Sequence, residues 1–132
     1  MIDSTKAFSS FSVNDIEKAS DFYQNVLGLE VNKIPMGENG LLEINIGGGA
    51  KVMVYPKPNH VPATFTVLNF PVSDLEKTVD ELTSRGVKFE QYDIGDLKTN
   101  EKGIVYGNGQ GPDIAWFTDP AGNIIGVMQS WQ

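Results

Sequence analysis

The sequence predicts an α+β fold of two βαβββ modules whose curved mixed sheets form a cleft. Three observations support this prediction: an internal repeat, an amphipathic helix near the start of each copy, and three extended segments after each helix. Residues 13–18 (VNDIEK) return 59 positions later as residues 72–77 (VSDLEK). A solenoid needs three or more stacked repeats, so two copies indicate a single domain built from two similar halves.

Each copy places a helix directly after its first strand. Ser73 and Glu76 fit a capping box, in which each side chain satisfies a backbone N–H at the start of a helix. Asn14 and Glu17 form a weaker version of the same pattern. Apolar residues then recur at helical spacing, which predicts one buried face in each helix. These residues are Ile16, Ala19, Tyr23 and Val26 in the first copy, and Leu75, Val79 and Leu82 in the second.

Four strands are expected in each copy, one before the helix and three after it. The predicted strands are residues 7–13, 29–34, 40–46 and 51–56, then 65–72, 87–92, 113–118 and 123–129. Residues 119–122 (DPAG) predict the turn between the last two strands. The polar segment between Asp93 and Pro112 predicts a long loop, and loops of that length are usually functional or mobile.

The predicted organisation is one domain over residues 1–132. Module 1 covers about residues 6–56, a proline-rich linker covers residues 57–63, and module 2 covers about residues 64–130. The strands are apolar on both faces, so two such sheets facing each other would enclose a pocket.

Composition excludes several classes of function. The chain has no cysteine, which rules out disulfides, thiolate nucleophiles, zinc fingers and iron–sulfur sites. Its net charge of −7 disfavours nucleic acid and anionic membrane surfaces, because both bind clustered Lys and Arg. No apolar run approaches the ~20 residues that cross a bilayer, and no signal peptide is visible. We therefore expect a cytoplasmic protein.

Few single residues indicate chemistry by themselves. His60 is the only histidine and lies in the proline-rich linker, where a solvated side chain without a catalytic role is expected. The glycine-rich residues 103–111 match neither the Walker pattern nor a dinucleotide-binding pattern. Four aromatic residues fit either core packing or an apolar cleft, and the sequence leaves both readings open: Tyr55, Trp116, Phe117 and Trp131.

The motifs together resemble a known family. The repeated helix start, residues 22–29 (FYQNVLGL) and residues 119–123 (DPAGN) are similar to the vicinal oxygen chelate superfamily. This superfamily includes glyoxalase I, extradiol dioxygenases, fosfomycin-resistance enzymes and bleomycin-resistance proteins. The resemblance covers about residues 6–130 and implies the paired βαβββ fold, usually as a homodimer.

The resemblance also locates the metal ligands of the metal-dependent members. Their positions correspond here to Phe8, Met53, Val67 and Gly126, none of which coordinates a hard or borderline cation. The chain therefore resembles the bleomycin-resistance type, which lacks a metal and acts by binding alone. We expect no metal, no cofactor and a small organic ligand, either aromatic or cationic.

Strand alternation predicts which residues line the pocket. They are Phe8, Ser10, Met53, Tyr55, Val67, Asn69, Asp113, Ala115, Phe117, Gly126 and Met128. This set assumes that the turn at 119–122 pairs residue 126 with 115 and residue 128 with 113. Tyr55, Asn69 and Asp113 would orient the ligand, and Asp113 would pair with a cation.

Two other functions remain open from the sequence. One is a lyase, isomerase or dioxygenase-like enzyme whose metal ligands have moved to other residues, or a metal-free enzyme with Asp113 or Tyr55 as base. The displaced ligands would come from Glu43, Tyr55, His60, Glu101 and Asp113. The other is a module that binds a partner protein through its sheet edges. No catalytic residue is assigned.

Overall fold

A computed structural model describes residues 1–130 of the chain. It divides into two compact units, one spanning Met1–Pro62 and the other beginning at Ala63. Each unit contains a four-stranded mixed sheet and a helix, which confirms the predicted α+β fold with a βαβββ arrangement in each copy. Within the described residues no helix is long and apolar enough to cross a membrane.

The first unit has one sheet with strand order β1-β4-β3-β2. Strands β1 and β4 run parallel, and the other neighbours run antiparallel. All four strands lie within two residues of their predicted bounds. The elements are a 3-10 turn (Ser4–Lys6), β1 (Ser9–Val13), α1 (Ile16–Asp21) with a π-helical continuation (Phe22–Val26), β2 (Glu30–Ile34), β3 (Leu41–Gly47) and β4 (Ala50–Pro56).

The second unit repeats this topology. Its strand order is β5-β10-β9-β8. As in the first unit, the first and last strands along the chain are neighbours and run parallel: β5 lies at the edge of the sheet and β10 lies beside it. A two-stranded ribbon of β6 and β7 lies outside that sheet. The elements are β5 (Thr66–Val72), α2 (Leu75–Ser84), β6 (Asp93–Ile94), β7 (Leu97–Lys98), β8 (Ile104–Val105), β9 (Ile114–Thr118) and β10 (Ile124–Gln129).

The helix caps differ by one residue from the prediction. Asp15 and Asp74 are the N-caps, and each carboxylate accepts a hydrogen bond from the backbone N–H three residues on, at 3.1 Å. Both have extended backbone, with φ near −140°, as an N-cap requires. The prediction that Asn14 and Ser73 cap the helices is therefore wrong, because each helix starts one residue later.

The predicted strand at residues 87–92 is absent. Only Phe89 forms an isolated bridge to Phe117, and the Glu90 N–H donates to the carbonyl of Trp116 at 2.7 Å. The fourth strand of this sheet is instead β8, which lies inside the predicted loop and pairs with β9. Ile104 of β8 is only 2% exposed, so its burial favours β8 as the edge strand.

Side-chain contacts order the rest of that loop. The Asn100 Oδ1 accepts hydrogen bonds from the backbone N–H groups of Lys102 and Ile104, both at 2.9 Å. The Lys102 ammonium lies 2.9 Å from Glu76 and 3.1 Å from Asp80, both on α2. Hydrogen bonds to these two carboxylates raise the pKa of Lys102 to about 12. The stability that the Lys102 charge contributes is therefore lost as the pH rises from the usual lysine pKa of 10.5 through about 12.

The register between β9 and β10 also differs from the prediction. Gly126 pairs with Trp116, and Met128 pairs with Ile114. The cause is Asp119, whose N–H donates to the carbonyl of Asn123 at 2.9 Å and so extends the ladder by one step. The loop then contains three residues instead of two. A shift of one residue places the intended side chains on the opposite face of the strand.

The core of each unit lies between the sheet and its own helix. Phe117 and Ala115 belong to this core, with exposures of 1% and 0%, so their predicted place on the pocket-facing side is wrong. Gln129 shares their face and accepts a hydrogen bond from the Leu75 N–H at the start of α2. The buried hydrophobic strand residues are Phe11, Val13, Leu42, Ile44, Val52 and Val54 in the first unit, and Ile104, Ala115, Phe117, Ile125 and Val127 in the second.

Candidate functional site

The side of the first sheet that faces away from α1 is called the first open face. One row across it consists of Ser10, Met53, Glu43 and Asn32, which are register neighbours on β1, β4, β3 and β2. The next row contains Ser12 and Tyr55. The predicted residues Ser10, Met53 and Tyr55 therefore share one face, as strand alternation requires.

A cavity of about 310 Å³ lies against this face. It brings together Phe8 and Met53, which the sequence analysis placed in the pocket. Phe8 precedes β1 and is 65% exposed. The full lining is Thr5, Lys6, Ala7, Phe8, Glu43, Gly49, Lys51 and Met53. The two lysines were not predicted: Lys6 precedes the first predicted strand, whereas Lys51 shares the face of Met53 and could have been found by strand alternation.

The N-terminal wall of the cavity is a turn fixed by Asp3. Its carboxylate accepts hydrogen bonds from the Thr5 N–H at 3.0 Å and the Thr5 hydroxyl at 2.6 Å. These two hydrogen bonds lower the pKa of Asp3 below its usual value. The charged carboxylate thus holds the turn that places Lys6 beside the cavity.

The charged wall of the cavity is an ion pair on the sheet. The Lys51 ammonium lies 3.3 Å from Glu43, and the Asn32 amide donates to the same carboxylate at 3.4 Å. Glu43 therefore already has two partners from neighbouring strands.

His60 has a partner that the sequence did not predict. Its Nδ1 lies 2.7 Å from the Ser12 Oγ, although the two residues are 48 positions apart. The expectation of a purely solvated histidine is wrong, because this hydrogen bond holds the linker to β1. Sequence spacing alone gave no signal for the pair.

The side of the second sheet that faces away from α2 is called the second open face. Its central row is Asn69, Gly126 and Trp116, and Met128 and Ile114 lie in the next row. Val67 lies two residues before Asn69 on β5 and is partly buried. The predicted residues Val67, Asn69, Gly126 and Met128 therefore belong to this unit's own sheet.

Trp116 is the aromatic residue that the predicted register missed. The Tyr92 ring meets its indole edge to face, with ring centres 5.6 Å apart. Burial against these neighbours, and then the charge of Glu90, raise the pKa of Tyr92, so its hydroxyl stays neutral at physiological pH. The pair gives the second open face a flat aromatic surface next to Gly126.

The Asn69 side chain lies over Gly126. A Cβ at this position would collide with the Asn69 Oδ1 and come within 3.4 Å of the Thr66 methyl group. The Asn69 amide thus takes the place from which a residue at position 126 would project. The Asn69 side chain has no hydrogen-bond partner among residues 1–130.

Asp113 has a structural contact. Its carboxylate accepts from the Gly107 N–H at 2.8 Å, and its carbonyl accepts from the Gln129 N–H at 2.8 Å. These bonds anchor the glycine-rich segment to the start of β9. Trp131, the remaining aromatic candidate, lies outside the described residues.

The alternative metal ligands do not come together. Among residues 1–130, no group of three or more His, Asp or Glu side chains is close enough to hold a metal ion. The set Glu43, Tyr55, His60, Glu101 and Asp113 is therefore not assembled as a metal site in either unit.

A family model matches residues 7–127 of the chain. It is the model of the Glyoxalase/Bleomycin resistance protein/Dioxygenase superfamily. The chain belongs to this superfamily. The match confirms the resemblance drawn from the repeated helix start and the DPAGN motif. Among curated proteins, none matches the chain significantly.

Solved structures similar to the chain include relatives from two bacteria. TnmS3, an antibiotic binding protein from Streptomyces sp. CB03234, is 25% identical, with a TM-score of 0.64 over 94% of this chain and 95% of that one. A glyoxalase/bleomycin resistance protein from the same organism is 26% identical, with a TM-score of 0.61 over 93% and 100%. A superfamily member from Sphaerobacter thermophilus DSM 20745, at 23% identity, TM-score 0.66, and coverage of 94% and 97%, shows the shared fold.

The positions that the resemblance assigns to the ligands of metal-dependent members do not carry metal-ligating side chains in this chain. The four corresponding positions hold Phe8, Met53, Val67 and Gly126, which offer one thioether and no carboxylate or imidazole. A Glu at position 126 would require the exposed Asn69 side chain to turn away. No reaction step through a metal is therefore derived for this chain.

Proposed function

We propose that this protein is a metal-free binding protein of the bleomycin-resistance type. It holds a small organic molecule against one of its open sheet faces and acts by binding alone. The observation that carries the proposal is the replacement of all four metal-ligand positions by Phe8, Met53, Val67 and Gly126.

The chemistry of the faces favours an aromatic organic ligand. Tyr55 and Met53 on the first face, and Trp116 on the second, offer apolar surface worth about 25 cal/mol for each Å² that a ligand covers. The Asn69 amide supplies a hydrogen-bonding group beside the indole. The description of TnmS3 as an antibiotic binding protein makes antibiotics a reasonable first ligand class.

The proposal also covers the domain organisation, the oligomeric state and the location of the protein. Residues 1–132 act as one domain, and two chains form a homodimer in the cytoplasm. The net charge of −7 supports a protein that binds neither nucleic acid nor a membrane surface. The module boundaries proposed are those of the repeat, with the linker at residues 57–63.

Thermal unfolding with a ligand panel tests the proposal. Planar aromatic antibiotics are added to the protein with and without a chelator, and separately with Ni²⁺, Zn²⁺, Fe²⁺ or Mn²⁺. A true ligand at 100 times its dissociation constant should add about 2.7 kcal/mol to stability. The chelator should not change the Tm, and a stoichiometric metal in the purified protein would overturn the proposal.

Two variants identify the surfaces involved. Met53→Ala and Trp116→Ala each remove apolar surface from one open face, so ligand-induced stabilisation should fall for the face that binds. Met36→Ala is the matched control, because Met36 is exposed and belongs to neither face. Equal loss in the control would count against binding at the open faces.

A further inference from the structure

We infer that the 310 Å³ cavity on the first open face binds a small organic carboxylate with an apolar body. This inference rests on the proposed function and specifies its ligand chemistry. It differs from the sequence-based expectation of a cationic ligand. Three features of the cavity support it: the balance of charges, the apolar residues and the volume.

The charges in the cavity favour an anion. Among the residues that line the cavity, two lysines, Lys6 and Lys51, accompany one acid, Glu43, so the lining carries a net charge of +1 in a protein whose total is −7. The Asp3 carboxylate of the adjacent turn is not part of the lining and is held by Thr5. Glu43 is occupied by Lys51 and Asn32. Lys6 makes no ion pair with any residue in the described part of the chain, so its ammonium is available to a ligand.

The apolar residues and the volume define the rest of the ligand. Phe8 and Met53 line the same cavity as the two ammonium groups. A volume of 310 Å³ lies at the low end of the range of about 300–1,000 Å³ for small-molecule pockets, so a small ligand fits. Phenyl or short alkyl carboxylates have this size.

The charges nearest to the ligand decide whether the cavity prefers an anion or a cation. The overall negative field attracts cations at long range, but at physiological salt it is screened beyond ~8 Å. Among the residues that line the cavity, Lys6 has no ion-pair partner and Lys51 is paired with Glu43. The structure therefore predicts selection of a carboxylate over an amine of the same shape.

Three probes of equal shape test the inference. They are 3-phenylpropionate, 3-phenylpropan-1-ol and 3-phenylpropylamine, titrated into full-length protein carrying ¹³C-methyl-labelled methionine. The Met53 methyl signal reports the cavity, the Met128 signal reports the second open face, and the Met36 signal serves as a surface control. All three dissociation constants are taken from the shift of the Met53 methyl signal. The carboxylate should give the lowest of the three.

Three charge variants complete the test. Lys6→Gln should lower the affinity for 3-phenylpropionate by about two- to fivefold, the range for loss of a partly exposed ion pair. Glu43→Gln should strengthen it by a similar factor, because it removes a like charge and releases Lys51. Lys57→Gln is the matched control, since Lys57 is exposed and outside the cavity. Its affinity should equal that of the unmodified protein.

The outcomes separate this inference from the proposed function. Equal or tighter binding of the amine, unchanged affinity in Lys6→Gln, or probe shifts only at Met128 would overturn the carboxylate cavity. Binding of an antibiotic without metal would leave the proposed function intact in each of those cases. Failure of every probe and antibiotic to bind the metal-free protein would overturn both.

Discussion

Gly103 shows how one residue positions the edge of the second sheet. Its φ is +87°, and a Cβ there would lie 2.8 Å from the Phe89 Cβ and 3.1 Å from the Glu90 carbonyl oxygen. Gly109 has nearly the same φ, +83°, but no atom lies within 4 Å of its Cβ position. A substitution at Gly109 therefore introduces backbone strain alone, whereas one at Gly103 introduces the same strain and a steric clash.

We predict that Gly103→Ala destabilises the protein more than Gly109→Ala. Both substitutions force alanine into a left-handed conformation at a cost of about 1–2 kcal/mol. Only Gly103→Ala also overpacks the contact with Phe89, which should add about 1–3 kcal/mol. Urea unfolding of both variants measures the difference. Equal losses would show that the contact with Phe89 does not hold β8 in place.

For individual residues of the candidate site, the sheet face could be predicted where strand alternation alone determines it. Ser10, Met53 and Tyr55 follow that rule, and the structure places them on one face. Trp116 did not follow from the sequence, because its face depends on whether the turn after β9 has two or three loop residues. The Ser12–His60 contact depends on the path of the linker, which local pattern does not encode.

At the scale of elements, each helix is set by its N-terminal aspartate. Asp74 accepts a hydrogen bond from the Lys77 N–H, whereas Ser73 lies one position before the cap. Ser73 contributes its carbonyl oxygen to the Gln129 amide, a contact that any residue at this position retains. The side chains of these two neighbours therefore have different roles.

We predict that Asp74→Ala lowers the free energy of unfolding by about 0.5–2 kcal/mol, the usual cost of losing an N-cap. Ser73→Ala should change it by less than about 0.5 kcal/mol, because no cap is lost. Chemical denaturation with circular dichroism measures both values. A larger loss in Ser73→Ala would restore the capping box inferred from the sequence.

The strand that the sequence misplaced shows the limit of local pattern. Residues 87–92 have β-forming composition, but an edge strand forms where its side chains can be buried. Ile104 is buried against β9, and the Asn100 side chain ties down the backbone that leads to it. These are tertiary interactions, and β propensity measured along the chain does not report them.

At the scale of the whole molecule, the repeat was enough to predict a four-stranded sheet covered by a helix in each half, but not the order of the strands. Two copies of one sequence pattern fold into two sheets with the same order, in which the first strand lies beside the last. The pattern fixes the sequence of elements, and burial of one apolar face per helix fixes which side of the sheet it covers. The identity of the ligand is not set by the fold, since the same fold serves many functions.

The charge of the whole molecule gives the last prediction. The chain carries −7 and the three charged cavity side chains contribute +1, so the rest of the molecule carries −8 and repels an anion. At 10 mM salt this repulsion reaches ~30 Å, whereas at 150 mM it reaches only ~8 Å. The attraction of Lys6 acts at contact and is screened strongly only near 1 M salt, where the Debye length is ~3 Å.

We therefore predict that the affinity for 3-phenylpropionate passes through a maximum as salt increases. It should rise between about 10 and 100 mM, as the distant negative charges are screened, and fall towards 1 M, as the contact with Lys6 weakens. Isothermal titration calorimetry across this range measures the curve. Lys6→Gln should remove the fall at high salt and keep the rise at low salt. A steady fall from the lowest salt would mean that the negative surface does not reach the cavity.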